Sequence, residues 1–388
     1  MHDVKQLLPV VPGGDQMDVL RACLFSSSVW PRFQRYILFK NMRLEQVDDP
    51  IMKKRMEDYD NMVQSVGENI PFDKVLIENE IPEISGATPS ETQKEFILAC
   101  IQKENIFQAS VDDQVVTAEA CKKALMYLYP DGYNSETAGK NVVLATTNKD
   151  VDWWNALIGD SNPNPEHEAL ISVDKFTHVD DDHGHLQRMI TDAVLEKYNS
   201  NDVPPHKLIL KVGDVCLIMR NLNVADGVTN NTRVKLLKIT TRYIRCQTLG
   251  DNPVHITLPR IRFTFRLPYG RSFDLTRLQF PLRRAFAISV HKSQGQTLGR
   301  CLLDMRSGFF AHGHLYVGLS RVTHFLNVAT FLLENQTYFR HQMCSEAHSR
   351  ELHGKPVVTN IVYQEAITEV RTLRLSLGIN RTNEFANI

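Results

Sequence analysis

Residues 280–321 read FPLRRAFAISVHKSQGQTLGRCLLDMRSGFFAHGHLYVGLSR. The run Ala285–Val290 is apolar enough for a buried strand. It ends in a polar cluster, His291-Lys292-Ser293-Gln294-Gly295-Gln296-Thr297. In an open α/β sheet the carboxyl edge of a strand is where phosphates and nucleic-acid backbones bind. Gly295 lets a backbone approach a ligand closely, and Lys292 brings a charge. A second apolar segment, Leu315–Leu319, ends in Ser320-Arg321. The planar fork of an arginine stabilises a phosphoryl group in transfer. Alone, KSQGQT also reads as a polar turn after a strand. Its pairing with Arg321, one apolar segment later, favours a phosphate or nucleic-acid site.

Working outward, the stretch is similar to the fifth and sixth motifs of superfamily-one DNA helicases of the PIF and Helitron type. There the pattern is AFAxTxxKSQGQT followed by LYVALSR. The chain keeps nearly all of it, with Gly318 where the pattern has Ala. The amino-terminal HDVKQLLPVVPGG resembles the third motif, GDxxQxLPVVPxG, with His2 in place of Gly. Asn41-Met42-Arg43 matches the NMR that ends the fourth. The carboxyl-terminal TNIVYQEAI is similar to the family's TKNIVYKEVL. The resemblance identifies the chain with the part of such a helicase that starts at the third motif.

The resemblance implies an α/β fold: a RecA-like second motor domain with a parallel sheet, plus a small inserted β-barrel and helical segments. It implies ATP-dependent unwinding of DNA, 5′ to 3′, in repair, recombination, telomere maintenance or a mobile element. Arg321 would be the arginine finger, with Gln6 and Arg43 beside the γ-phosphate. Gln294 and Gly295 would line the nucleotide cleft, and His291, Lys292 and Ser293 would face DNA. ATP and Mg2+ are the implied cofactors, single-stranded or forked DNA the implied partner, and a nucleus the implied location. The expected segments are 1–46, a remnant of the first motor domain leading into the second; 47–140, a helical insert; 141–205 and 271–335, the second motor domain; 206–270, the barrel; and 336–388, a tail.

One part is missing. A Gly-rich phosphate loop, GxxxxGK[S/T], and a magnesium-binding Asp-Glu pair belong before the third motif. The Gly139-Lys140 pair in NSETAGKNVV has Asn134 where the first Gly belongs, and Asn141 follows the lysine. It leads into a strand, so no helix N-terminus would meet a phosphate, and it reads as a turn. The chain is therefore expected to be a fragment of such a helicase without activity of its own, or a half that is completed by a first motor domain from another chain. The alternative is a non-catalytic module that binds single-stranded DNA.

Bulk properties narrow the classes. The 388 residues are 43% hydrophobic and 23% charged, as in ordinary globular chains. A net charge of −1 excludes a global basic field, so any nucleic-acid site is a local stripe. Seven cysteines without CxxC pairs fit reduced thiols in an intracellular setting. His341, Cys344 and His348 make too thin a pattern for a zinc site. No apolar run reaches the ~18 residues of a membrane span.

Along the rest of the chain, Asp15–Leu24 and Ser26–Phe33 read as helices and Tyr36–Phe39 as a strand. SETQKEFILACIQ opens with Ser90 and Gln93 in capping-box spacing and reads as a helix, as does AEACKKALMYLY. Nothing in 47–135 points to chemistry. Val142–Ala145 is a strand and Asp150–Ile158 a helix. Thr146 and Asn148 between them resemble the family's DNA-side PTN, or they cap the helix. Trp153 and Trp154 read as core. Asp180–Asp182 with His183 and His185 read as a solvated loop. Residues 206–265 show short strands and frequent turns, and Asn231 replaces the turn glycine of the family pattern. Arg220, Arg233, Lys235, Arg242, Arg245, Arg260, Arg262 and Arg266 there either track a phosphate backbone or form a solvated face.

Overall fold

The structure is a computed structural model, and it describes residues 3–33, 47–69, 93–98, 100–109, 111–112, 115–116, 118–165, 167–176, 202–250, 252–266, 274–337 and 353–368. Arg43, the strand expected at Tyr36–Phe39, the Asp180–His185 run and the Cys344 region lie outside the described residues. Among the described residues, the helices of six residues or more are α1 (Gln16–Arg21), α2 (Pro50–Glu68), α3 (Ala118–Leu128), α4 (Ser135–Lys140), α5 (Asn148–Ser161) and α6 (His314–Leu319). The strands of three or more residues are, through the first half, β1 (Gln93–Ile97), β2 (Ile106–Ala109), β3 (Asn141–Ala145), β4 (His167–Ile171), β5 (Val173–Phe176) and β6 (Lys207–Lys211). They continue with β7 (Val215–Ile218), β8 (Arg233–Ile239), β9 (Tyr243–Thr248), β10 (His255–Pro259), β11 (Ile261–Arg266) and β12 (Asp274–Gln279). The last are β13 (Leu282–Arg284), β14 (Ala287–Ser289), β15 (Arg300–Asp304), β16 (Val328–Leu333) and β17 (Val357–Ile361).

Two units make up the chain: residues 1–124, 144–146 and 289–388, and residues 125–143 and 147–288. The first centres on a parallel sheet. β15 pairs with β16, Cys301 opposite Val328, and β16 pairs with β2, Thr330 opposite Ile106. With the ends of β3 and β14 the strand order is β14–β3–β15–β16–β2. Parallel strands covered on both faces read as unbroken apolar runs, and Val328–Leu332 is buried at every position. The expected α/β class with a parallel sheet is what the chain forms.

Three local expectations are corrected. SETQKEFILACIQ does not form the expected helix: Gln93–Ile97 is a strand, antiparallel to β17 with Phe96 opposite Val358. A partner more than 260 residues away overrides the local capping signal. Ser26–Phe33 gives no α-helix but a 3-10 turn, Trp30–Arg32, after another at Leu24–Ser26. Gly139-Lys140 is the last turn of α4 rather than a free turn, and Asn141 starts β3 directly. α1 follows the reading, with Asp15 as cap and Asp18 completing the reciprocal box.

The second unit holds the region read as a small barrel. β10–β9–β8–β7–β13 form an antiparallel meander, β11–β12–β5 a second sheet, and β4–β6 a two-stranded ribbon. The meander and the ribbon share one core: Leu170, Leu208 and Leu210 pack with Ile218, Val234, Leu236, Ile244 and Leu258. Arg233 is corrected from candidate phosphate ligand to framework. It is 8% exposed and donates to the carbonyls of Gly139, Ala138 and Ala285. Arg220 lies over Phe263 and Arg260 over Phe280, so part of the basic content covers rings. Trp154 is fully buried, the core role expected of it.

The turn before β8 tests the reading of Asn231. Its φ is 67°, in the left-handed region, and its amide donates to the Ile218 carbonyl. Asn tolerates this conformation, whereas a β-branched residue does not. Asn231→Val is expected to destabilise the chain by about 1–2 kcal/mol and Asn231→Gly to leave it within a few tenths, read by urea unfolding. Equal stability for the valine variant would refute the assignment.

Candidate nucleotide and strand site

β14 ends at Ser289, and Val290–Ser293 continues as a 3-10 turn rather than as strand. The expected polar edge therefore exists, but the chain curls under it. Gln296 N–H donates to the Ser293 carbonyl, and the Gln296 amide donates to the Lys292 carbonyl at 2.8 Å. Gly295, exposed at the tip, has φ +80°, which a side chain would resist. Ser293, expected to face DNA, is fully buried, and its hydroxyl donates to the Val290 carbonyl at 2.7 Å.

Arg321 locks this turn. Its side chain, 7% exposed, donates from Nε to the Val317 carbonyl at 2.9 Å and from Nη2 to the Ser320 hydroxyl at 2.8 Å. Nη1 reaches the Ser293 and Gln296 carbonyls at 3.3 and 3.2 Å. The rigid fork of Arg matches several acceptors at once. The guanidinium of Arg321 is thus engaged by backbone carbonyls and the Ser320 hydroxyl.

Gln6 is placed beside it from the other end of the sequence. Gln6 Nε2 donates to Asp3 at 3.1 Å, and Gln6 Oε1 accepts from Gln294 Nε2 at 3.0 Å. Asp3 also accepts from the Lys5 amide and, at 3.3 Å, from the Tyr316 hydroxyl. Burial first, then the Asp3 carboxylate, push the Tyr316 phenol well above its ordinary range, so it stays a donor. Gln6 meets Gln294, and Arg321 meets the carbonyls on either side of Gln294 and Gly295, so the three belong to one polar assembly.

A cavity of about 250 Å3 opens at this assembly, lined by Gln6, Tyr59, Asp60, Gln64, Tyr316, Ser320, Arg321 and Thr323 among others. Sequence reasoning missed the α2 contribution, because the helix shows only ordinary charge spacing. Tyr59 donates to the Leu319 carbonyl at 2.8 Å, anchoring the end of α6 that carries Ser320-Arg321. Lys5 pairs with Glu68 at 2.7 Å, fixing α2 to the Gln6 segment. Asp3 was legible, since it stands inside the HDVKQ match. Among the described residues no group of three or more His, Cys, Asp or Glu is placed to hold a metal ion.

At Gly318, where the family pattern has Ala, a Cβ would lie 2.6 Å from Leu303 Cδ2, so the leucine side chain would have to turn aside. Gly313, with φ +72°, has no room either, its Cβ falling 2.5 Å from the Lys5 carbonyl oxygen.

On the predicted strand side, His291 is half-buried and shares a 3.1 Å hydrogen bond with His314. Thr146 is buried and its hydroxyl has no partner. The cap of α5 is Thr147, which accepts from the Asp150 amide at 3.2 Å, and Asn148 is exposed as the first helical residue. The cap alternative left open for Thr146 and Asn148 thus belongs to Thr147. Lys292 is half-buried. Burial, then His291 and His312, push the His314 imidazole down to about 3.

The sequence family models that match are "PIF1-like helicase" over residues 2–73 and "DNA helicase Pif1, 2B domain" over residues 194–239. The Danio rerio ATP-dependent DNA helicase PIF1 is 29% identical over 195 residues, 42% of this chain and 28% of that protein. The chain thus matches under a third of the length of this curated relative. Bacteroides Pif1 bound to ssDNA superposes over 96% of this chain and 66% of that one, with a TM-score of 0.53 and 18% identity. Bacteroides Pif1 in complex with ADP-AlF3 and ssDNA gives 0.51, 97%, 66% and 18%. The fold is therefore the RecA-like α/β fold of these proteins. No helix among the described residues is long and apolar enough to cross a membrane.

His314 yields a pH test. Because its folded pKa lies below the ordinary 6.5, the unfolded chain binds the proton first as pH falls. The neutral imidazole's contribution is complete above pH ~6.5 and is lost as pH falls toward 3. Replacing His314 by Gln is expected to lower the slope of unfolding free energy between pH ~6 and 4 by about one proton, ~1.4 kcal/mol per pH unit. An unchanged slope in denaturation at several pH values would refute it.

Proposed function

We propose that this chain is part of a PIF1-like helicase and supplies the nucleotide-sensing and strand-gripping part of an ATP-dependent 5′ to 3′ DNA helicase. The observation that carries the reading is the continuous polar assembly Asp3–Gln6–Gln294 and Ser293–Arg321 around one cavity. Gln6 would report on the γ-phosphate, Arg321 would stabilise its charge in transfer, and the same turn would hand that state to His291 and Lys292 on the strand. Thr146 and Asn148 would meet the same strand. Arg43 keeps the nucleotide role its motif implies. ATP, bound with Mg2+, supplies the free energy that moves one motor domain against the other.

The 388 residues contain no GxxxxGK[S/T] loop. In this reading the loop and the magnesium carboxylates lie on a first motor domain outside these 388 residues. The segment limits given above and a nuclear site of action are parts of the same proposal. So is action on single-stranded or forked DNA during repair, recombination or transposition. The engagement of Arg321 by backbone carbonyls favours a second reading, a non-catalytic single-strand-binding module.

The test measures binding to a labelled oligothymidine across salt, then ATP hydrolysis with and without an added PIF1-like first motor domain. The expected result is binding whose log K falls linearly with log salt, and turnover only in the mixture. Arg321→Lys, which keeps the charge, and Arg321→Ala are both expected to cut that turnover by about 10³-fold or more. Binding without complementation would leave the module reading standing. No binding to single-stranded DNA would overturn both.

A further inference from the structure

Phe310 has no part in the reading above. It is 59% exposed, while neighbouring Phe309 is 6% exposed. The Phe310 ring stands edge-on to His314, centroids 4.8 Å apart at 90°. His314 stands edge-on to His291, centroids 4.6 Å apart at 89°. The three rings form a row from the predicted strand-contacting turn out to solvent. Its middle member is fully buried, so the row does not tilt freely.

We propose that Phe310 is a stacking platform for an unpaired base of single-stranded DNA whose backbone lies on the Lys292–Thr297 turn. The inference rests on the reading of that turn as a strand contact. The loop bearing Phe310 is pre-organised. Gly308, at φ +67°, donates to the Met305 carbonyl, and Gly313 donates to the Ile361 carbonyl at 3.1 Å. An isolated exposed aromatic is ordinary on a protein surface. This one is held in a fixed orientation, one ring from His291 and its neighbour Lys292. That is the combination a strand-binding groove uses: cations for the backbone and an aromatic face for a base. His314 acts as the positioning residue. Its Nδ1 is buried without a hydrogen-bond partner, so the tautomer with hydrogen on Nε2 is favoured. That hydrogen donates to His291 Nδ1 and leaves the His291 Nε2–H as a donor.

The test compares wild type, Phe310→Ala and Phe310→Trp by fluorescence anisotropy. The probes are a labelled oligothymidine and an oligonucleotide of the same length made of abasic sites. Phe310→Ala is expected to weaken oligothymidine binding about five- to 150-fold, the range of one base–aromatic stack. The salt slope stays unchanged because no cation is removed. Phe310→Trp retains binding, and the abasic strand binds all three proteins equally. Thermal unfolding is expected to be the same for each, as befits an exposed side chain. Oligothymidine binding by Phe310→Ala equal to wild type overturns the proposal. So does an equal loss on the abasic strand, which would mark Phe310 as part of an apolar contact with something other than a base. A wild-type chain that binds no single-stranded DNA removes the strand reading itself.

Discussion

The structure of the site depends on the guanidinium of Arg321 meeting backbone carbonyls of the turn that follows β14. A buried cation is costly unless its hydrogen-bonding capacity is met. Here it is met by Val317 within its own helix, by Ser320 and by two carbonyls of the polar turn. A short helix of six residues thereby becomes rigidly tied to a turn 25–28 positions earlier in the chain. The Gln6 segment then closes on the same turn through Gln294.

Much of this was legible in the sequence, because motifs record chemistry. KSQGQT and LYVGLSR pointed to a strand, a polar turn and an arginine facing one phosphate site; in the fold the guanidinium meets the carbonyls of the turn itself. HDVKQ brought Gln6 to the same place. What motifs do not record is partner choice. Nothing in QKEFI announces β17 as its neighbour, and the capping-box spacing at Ser90 pointed the other way. Nor did α2 show that Tyr59 faces a carbonyl at the end of α6. The hydroxyl of Ser293 illustrates a finer limit. A serine in a polar motif reads as a ligand, yet its burial makes it a brace within the turn.

The basic residues of the second unit teach the same lesson with charge. Density alone placed Arg233 among candidate phosphate ligands. In the fold it is the most enclosed of them, with three carbonyl acceptors, and burial lowers its pKa to about 10. Composition counts cations, but only packing separates those that face solvent from those that hold α4 against β8.

Gly313 carries a consequence for how this sequence is able to change. The position has a left-handed backbone, and a methyl group there would overlap the Lys5 carbonyl and reach Gln6. Any larger residue at 313 is tolerated only if the Asp3–Gln6 segment withdraws, and its withdrawal would break the contact with Gln294. The third and sixth motifs are therefore one inherited block. Among related sequences, variation at 313 would appear together with variation at residues 3–6, or not at all.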